Sequence, residues 1–156
     1  MGMDFGFSPV GVVFLIMLFA PNIAWSRFPP KDYEKYSGHE NRMLLIFERV
    51  GEVLVTIFCL FCGVAFSSNL ILIVAFALML IYELYWVRYF NGSRTMKDMY
   101  DSFLGIPLPG ASLPVIAVFL LGIHAKNMFL IASAIILAIG HIGIHYNHKK
   151  ELLINA

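Results

Sequence analysis

Charge is what this sequence has least of. Asp, Glu, Lys and Arg make up 13% of its 156 residues, where a soluble domain carries about 25%. That shortage excludes an ordinary soluble domain. No basic run is present to hold nucleic acid, and the formal net charge is only +1. Cysteine is as scarce: Cys59 and Cys62, in the stretch CLFC, are the only two. Two thiols are too few for a disulfide framework or a quinone-linked electron relay. Their i, i+3 placement in an apolar helix fits small packing residues. Also missing are the HExxH metal motif, the GxSxG nucleophile elbow and the short alternating segments of a membrane β-barrel. No internal repeat halves the chain, so a pseudo-symmetric transporter would need a homo-oligomer to complete it.

What is present is apolar sequence in long runs. Hydrophobic residues reach 60%, with a mean hydropathy of +0.79. This predicts an all-α integral membrane protein in which residues 1–156 form one transmembrane domain without a soluble appendage. Five transmembrane helices are expected, at about 8–25, 43–66, 70–90, 103–123 and 128–148. The first lacks the basic flank and small-residue cleavage site of a signal peptide, so it is expected to stay. Gly6 stands where myristoylation needs Ser or Thr. Ser37-Gly-His-Glu40 has capping-box spacing ahead of the second span. The fourth, FLGIPLPGASLPVIAVFLLGI, is interrupted by Pro107, Pro109, Gly110 and Pro114.

Five spans put Lys126 alone on the N-terminal side and the other ten basic residues on the opposite side. By the positive-inside rule the N-terminus is outside and the C-terminus cytoplasmic, in a multi-pass protein of the cell (inner) membrane.

Against this apolar background the intramembrane polar groups stand out. Asn22, Glu52, Glu83 and His141 each lie 14 residues from the outer end of their predicted span. That is about 21 Å down helices rising 1.5 Å per residue. Glu48 and His145 follow one turn deeper, on the same faces as Glu52 and His141. Arg49 is i, i+3 from Glu52 and can neutralise it, whereas Arg88 is expected to snorkel to lipid phosphate. Counting down span four reaches Gly110 in the PLPG break, where Ser112 could cap a restarting helix. Tyr82, Tyr85, Trp86 and Tyr89 either frame a pocket or form an interfacial aromatic belt. The loop NGSRTMKDMYDSF either covers its mouth or is a solvated connector.

The candidate ligand-binding residues are therefore Asn22, Glu48, Arg49, Glu52, Glu83, Trp86, Ser112, His141 and His145. Ionisable groups in a span cost several kcal/mol unless paired, which marks them as functional candidates. The expected ligand is a small polar molecule or a lipid headgroup, bound and conceivably transported, with membrane lipid as the surrounding partner. A second expectation is a membrane-embedded enzyme using a divalent metal, zinc, iron or manganese, on Glu48, Glu52, Glu83, His141 and His145. A third is an accessory protein whose polar layer only fixes packing. The Trp-Pro-Pro stretch of tryptophan-rich sensory proteins and the Arg-His-Pro-x-Tyr stretch of isoprenylcysteine methyltransferases are both absent, so neither family is assigned.

Overall fold

A computed structural model describes residues 6–36 and 40–154. Among them the chain is all-helical, 76% helix with no strand. The long helices are α1 (Pro9–Arg27), α2 (Arg42–Leu60), α3 (Leu70–Asn91), α5 (Pro109–His124) and α6 (Met128–Ile154), with a short α4 (Met96–Tyr100). Local chemistry sets their starts. The Ser8 hydroxyl accepts from Gly11 N–H, with Pro9 in the first turn of α1. Asn41 caps α2 and Asn69 caps α3. The expected capping box of α2 begins at Ser37, outside the described residues.

The five long helices close into a ring in which each packs against two neighbours, in the cyclic order α1, α2, α6, α5, α3. Successive long helices run in opposite directions along the chain, which leaves α1 and α3 as parallel neighbours in the ring. Ser8 N–H reaches the Leu60 carbonyl at 2.9 Å and Phe58 stacks on Phe129 at 5.3 Å, so α1 and α6 begin where α2 ends. At that end the ring is filled by Val10, Phe14, Val55, Cys59, Leu72 and Leu130. Both thiols are free and buried, and Cys62 hydrogen-bonds to Ser8 Oγ at 3.3 Å.

The tightest seam joins α2 to α6 and is made by glycine. A Cβ at Gly51 would sit 2.5 Å from Leu137 Cα, and one at Gly140 would collide with the backbone of Glu48. Small residues let helices approach this closely where lipid offers no hydrophobic drive between them. Outward faces carry exposed Ile16, Ile23, Val53, Leu80, Val87 and Ile135.

Three helices, α1, α3 and α6, are long and apolar enough to cross a membrane, fewer than the five expected. The reasons are local. Four charged residues, Arg42, Glu48, Arg49 and Glu52, burden α2. That helix also stops at Leu60; Gly6 pairs with Cys62 in the extended stretch that replaces its predicted last turn. The break falls at the start of α5, although Pro114 lies inside the helix. Phe103 and Ile106 pair across a tight turn, Leu108 takes a left-handed φ of 49°, and the helix begins at Pro109 with Pro114 in its second turn. This leaves 16 residues, about 24 Å of helix.

Candidate functional site

The ring encloses a polar cavity of about 280 Å³ at the end opposite the apolar plug. Asn22 and Trp25 come from α1, Glu48, Arg49 and Glu52 from α2, and Trp86 from α3. Met99 and Tyr100 come from α4, Gly110 from α5, and His141, His145 and His148 from α6. Tyr33 and Glu40 complete the wall from the segment between α1 and α2.

One wall follows from the glycine seam. With α6 lying on the Glu48 backbone at Gly140, His141 Nδ1 comes to 2.5 Å from Glu48 Oε1. An ionised Glu48 accepts the Nδ1–H there. The His145 ring follows at 4.4 Å from His141, and Tyr100 meets His145 edge-on at 5.2 Å. Tyr100 also stacks on His148 at 5.7 Å. His148 Nε2 lies 3.2 Å from Glu40 Oε1, which also accepts from the Tyr33 hydroxyl at 3.2 Å. Two carboxylate–imidazole pairs thus flank a buried His145. Arg49 and Glu52 pair at 2.9 Å on a more open wall, their side chains 71% and 37% exposed. Every carboxylate lining the cavity has a cationic or ionisable nitrogen partner, which is how charge is kept in a low-dielectric place.

Burial and the Glu40 carboxylate push the Tyr33 phenol up to about 12. Burial likewise holds the Tyr100 phenol well above its ordinary value. Both are neutral hydrogen-bonding groups near pH 7. The cavity also contains donors without acceptors: Trp25 Nε1 and Trp86 Nε1 are buried and have no hydrogen-bond partner among the described residues. Trp86 faces the Tyr82 hydroxyl without reaching hydrogen-bond geometry. Trp25 Nε1 is the clearer vacancy, since buried N–H groups nearly always find a partner.

Asn22, Glu48, Arg49, Glu52, Trp86, His141 and His145 thus line one chamber, whereas Glu83 and Ser112 do not. Glu83 lies outside the chamber, with Oε1 buried and unpaired. Equal depth along a span carries no information about which side of the helix a residue occupies. Ser112 is not a helix cap; its hydroxyl donates to the Pro107 and Leu108 carbonyls, each at 3.0 Å. The expected metal set does not assemble either. No group of three or more His, Cys, Asp or Glu among the described residues is arranged to hold a metal ion. Glu83 is remote, and Glu52 is turned to Arg49.

The aromatic run of α3 is no lipid-facing belt. Tyr82, Tyr85, Trp86 and Tyr89 are all buried, and Tyr85 donates to the Met99 carbonyl at 2.6 Å. The loop after α3 is no solvated connector. Thr95 and Asp98 form a capping box, Asp32 accepts from Met96 N–H, and Met96, Met99 and Tyr100 are buried. Arg88, expected to snorkel, folds back to the Asp98 carbonyl at 3.4 Å and the Phe103 ring at 5.8 Å. Tyr33, Glu40 and Tyr100 were missed as site residues because they lie in connectors, where no periodicity points inward. His148 stands three residues beyond His145 on the same helix, a spacing that continues the His141–His145 face and is present in the sequence.

Comparison with family models, curated proteins and solved structures finds no match to this chain.

Proposed function

We propose that this chain is a multi-pass membrane protein of five crossing helices that binds a small polar ligand or lipid headgroup in its central chamber. The observation that carries this reading is the polar cavity of about 280 Å³ inside an apolar-faced ring, with an unpaired Trp25 donor in its wall. Lipid is the solvent that suits such an exterior, since water would favour the opposite distribution. The five-span count is supported by the ring, in which α2 and α5 lie between the three longer apolar helices. In this reading the basic connectors, and with them the chamber mouth, face the cytoplasm, and the N-terminus faces outward. Binding is favoured over transport because the outer half is packed with Val10, Phe14, Cys59 and Leu72.

An enzymatic reading rests on one further contact: the 2.5 Å approach of Glu48 to His141 is geometry suited to proton transfer. Binding requires less of the site and is preferred.

Native mass spectrometry of protein purified in mild detergent tests the binding reading. A one-to-one adduct is expected, its abundance altered by Glu52→Gln. The partly exposed Arg49–Glu52 pair stabilises by only about 0–1 kcal/mol, so the melting temperature should hold while the adduct changes. A collapse of stability with no adduct in the wild-type protein would make the polar layer purely structural.

A further inference from the structure

The chamber borders a second space of opposite character. A cleft of about 80 Å³ is lined by Leu18, Phe19, Pro114, Val115 and Leu137, and it shares Asn22, Glu52 and His141 with the chamber. Both spaces lie where α1 and α2 part. The two helices are pinned together at their other ends, where a Cβ at Gly11 would run into the Cys59 carbonyl and Ser8 N–H bonds to Leu60. Away from that pin the chamber is lined by Ser26 on α1 and Arg49 on α2, both exposed. Phe19, at the cleft, is exposed as well.

We propose that the ligand is a membrane amphiphile, admitted sideways through the gap between α1 and α2. Its headgroup occupies the polar chamber and the start of its chain lies in the apolar cleft. This rests on the binding reading above and narrows it. The chamber holds a headgroup of roughly nine water-sized groups, at about 30 Å³ each. Its lining selects for hydrogen-bond acceptors: Trp25 Nε1 offers an unused donor, and the Arg49 guanidinium stands exposed at the rim. Glu40, Glu48 and Glu52 are each engaged by a nitrogen of the wall, at His148, His141 and Arg49, and so oppose a phosphate-bearing or hydroxyl-rich headgroup less than free carboxylates would. A freely soluble molecule would satisfy the chamber but leave the cleft unfilled, whereas the first carbons of an acyl chain match its apolar lining of Leu18, Phe19, Val115 and Leu137.

The test is native mass spectrometry and equilibrium binding on the full chain in maltoside detergent. The probes are phosphatidylglycerol, phosphatidylethanolamine and cardiolipin, with sn-glycerol 3-phosphate as a free headgroup. At least one lipid should bind one-to-one, at least a hundredfold tighter than the free headgroup. Leu18→Phe, which fills the cleft, should weaken lipid at least tenfold and leave the free headgroup unchanged. Ser26→Trp, which narrows the gap from an exposed position, should slow lipid uptake at least tenfold. Melting curves matching wild type establish that each variant is folded, and either variant alone suffices. A free headgroup binding as tightly as intact lipid, or lipid binding indifferent to both variants, overturns the sideways amphiphile while sparing the small-ligand chamber. No binding of any probe, with no co-purified mass, overturns both.

Discussion

Gly140→Ala puts the α2–α6 seam to a quantitative test. A Cβ at this position falls on the Glu48 backbone and within 2.6 Å of the Leu44 carbonyl oxygen, whereas ordinary contacts lie near 3.5–4.0 Å. Both obstacles are backbone, so the helices must part by about 1 Å. Overpacking of this kind costs about 1–3 kcal/mol. The same displacement stretches the 2.5 Å Glu48–His141 contact beyond hydrogen-bond range, and unmaking a buried charged pair costs about 1–3 kcal/mol more. Alanine's better helix propensity offsets about 1 kcal/mol, leaving a net loss near 3 kcal/mol. For a chain of this size that corresponds to a fall of about 6–12 °C in melting temperature. Gly143→Ala is the matched control. Its Cβ would meet only the Leu44 methyls, at 3.0 and 3.1 Å, and these can rotate away. That variant should melt within about 3 °C of wild type, the propensity gain offsetting the small repacking. Circular dichroism melts of the two proteins in one detergent decide the matter. Equal effects, or a neutral Gly140→Ala, would refute the claim that this glycine seats α6 on Glu48.

Other expectations follow from the same geometry. Tyr33 titrates at about 12 when folded and about 10 when unfolded. Its contribution to stability is therefore complete below pH 10 and lost as pH rises through 12. In ultraviolet titration, Tyr33→Phe should lower the amplitude of the transition near 12 by one tyrosine; loss of amplitude near 10 instead would contradict the buried Tyr33–Glu40 contact. Trp25→Phe discards an indole N–H that has no partner, so stability should change by about 1 kcal/mol or less while the co-purified adduct weakens; a large loss of stability would mean the N–H is already satisfied. Tyr85→Phe removes the 2.6 Å bond to the Met99 carbonyl and should cost about 1–2 kcal/mol, with faster amide exchange in α4; unchanged exchange would show that this bond does not hold α4. For topology, cysteines placed by Lys126→Cys and Ser93→Cys should react with an impermeant maleimide from outside and only after lysis, respectively. Labelling of both from one side would show that α5 does not cross, and reversed labelling would invert the orientation.

Some of this protein was determined by its sequence alone. Long apolar runs with 13% charge favour helices, which bond every backbone polar group within their own segment, and the described chain is all-helical. The positions of α1, α3 and α6 follow to within a few residues, except that α6 continues to Ile154. So does the presence of a polar layer, since Glu48, Glu52, His141 and His145 are conspicuous wherever the helices sit. What only the tertiary structure decided is which polar groups meet. Depth along a helix is a count, but facing is a rotation fixed by packing. The contact of Gly140 with the Glu48 backbone turned His141 to Glu48, while Glu83, at the same nominal depth, was left outside. The connectors were equally out of reach of periodicity: Tyr33, Glu40 and Tyr100 enter the chamber because turns and a capping box fold them over its mouth. The prolines of span four signalled a break, but its position at the start of α5 depended on the Phe103–Ile106 turn and the left-handed Leu108.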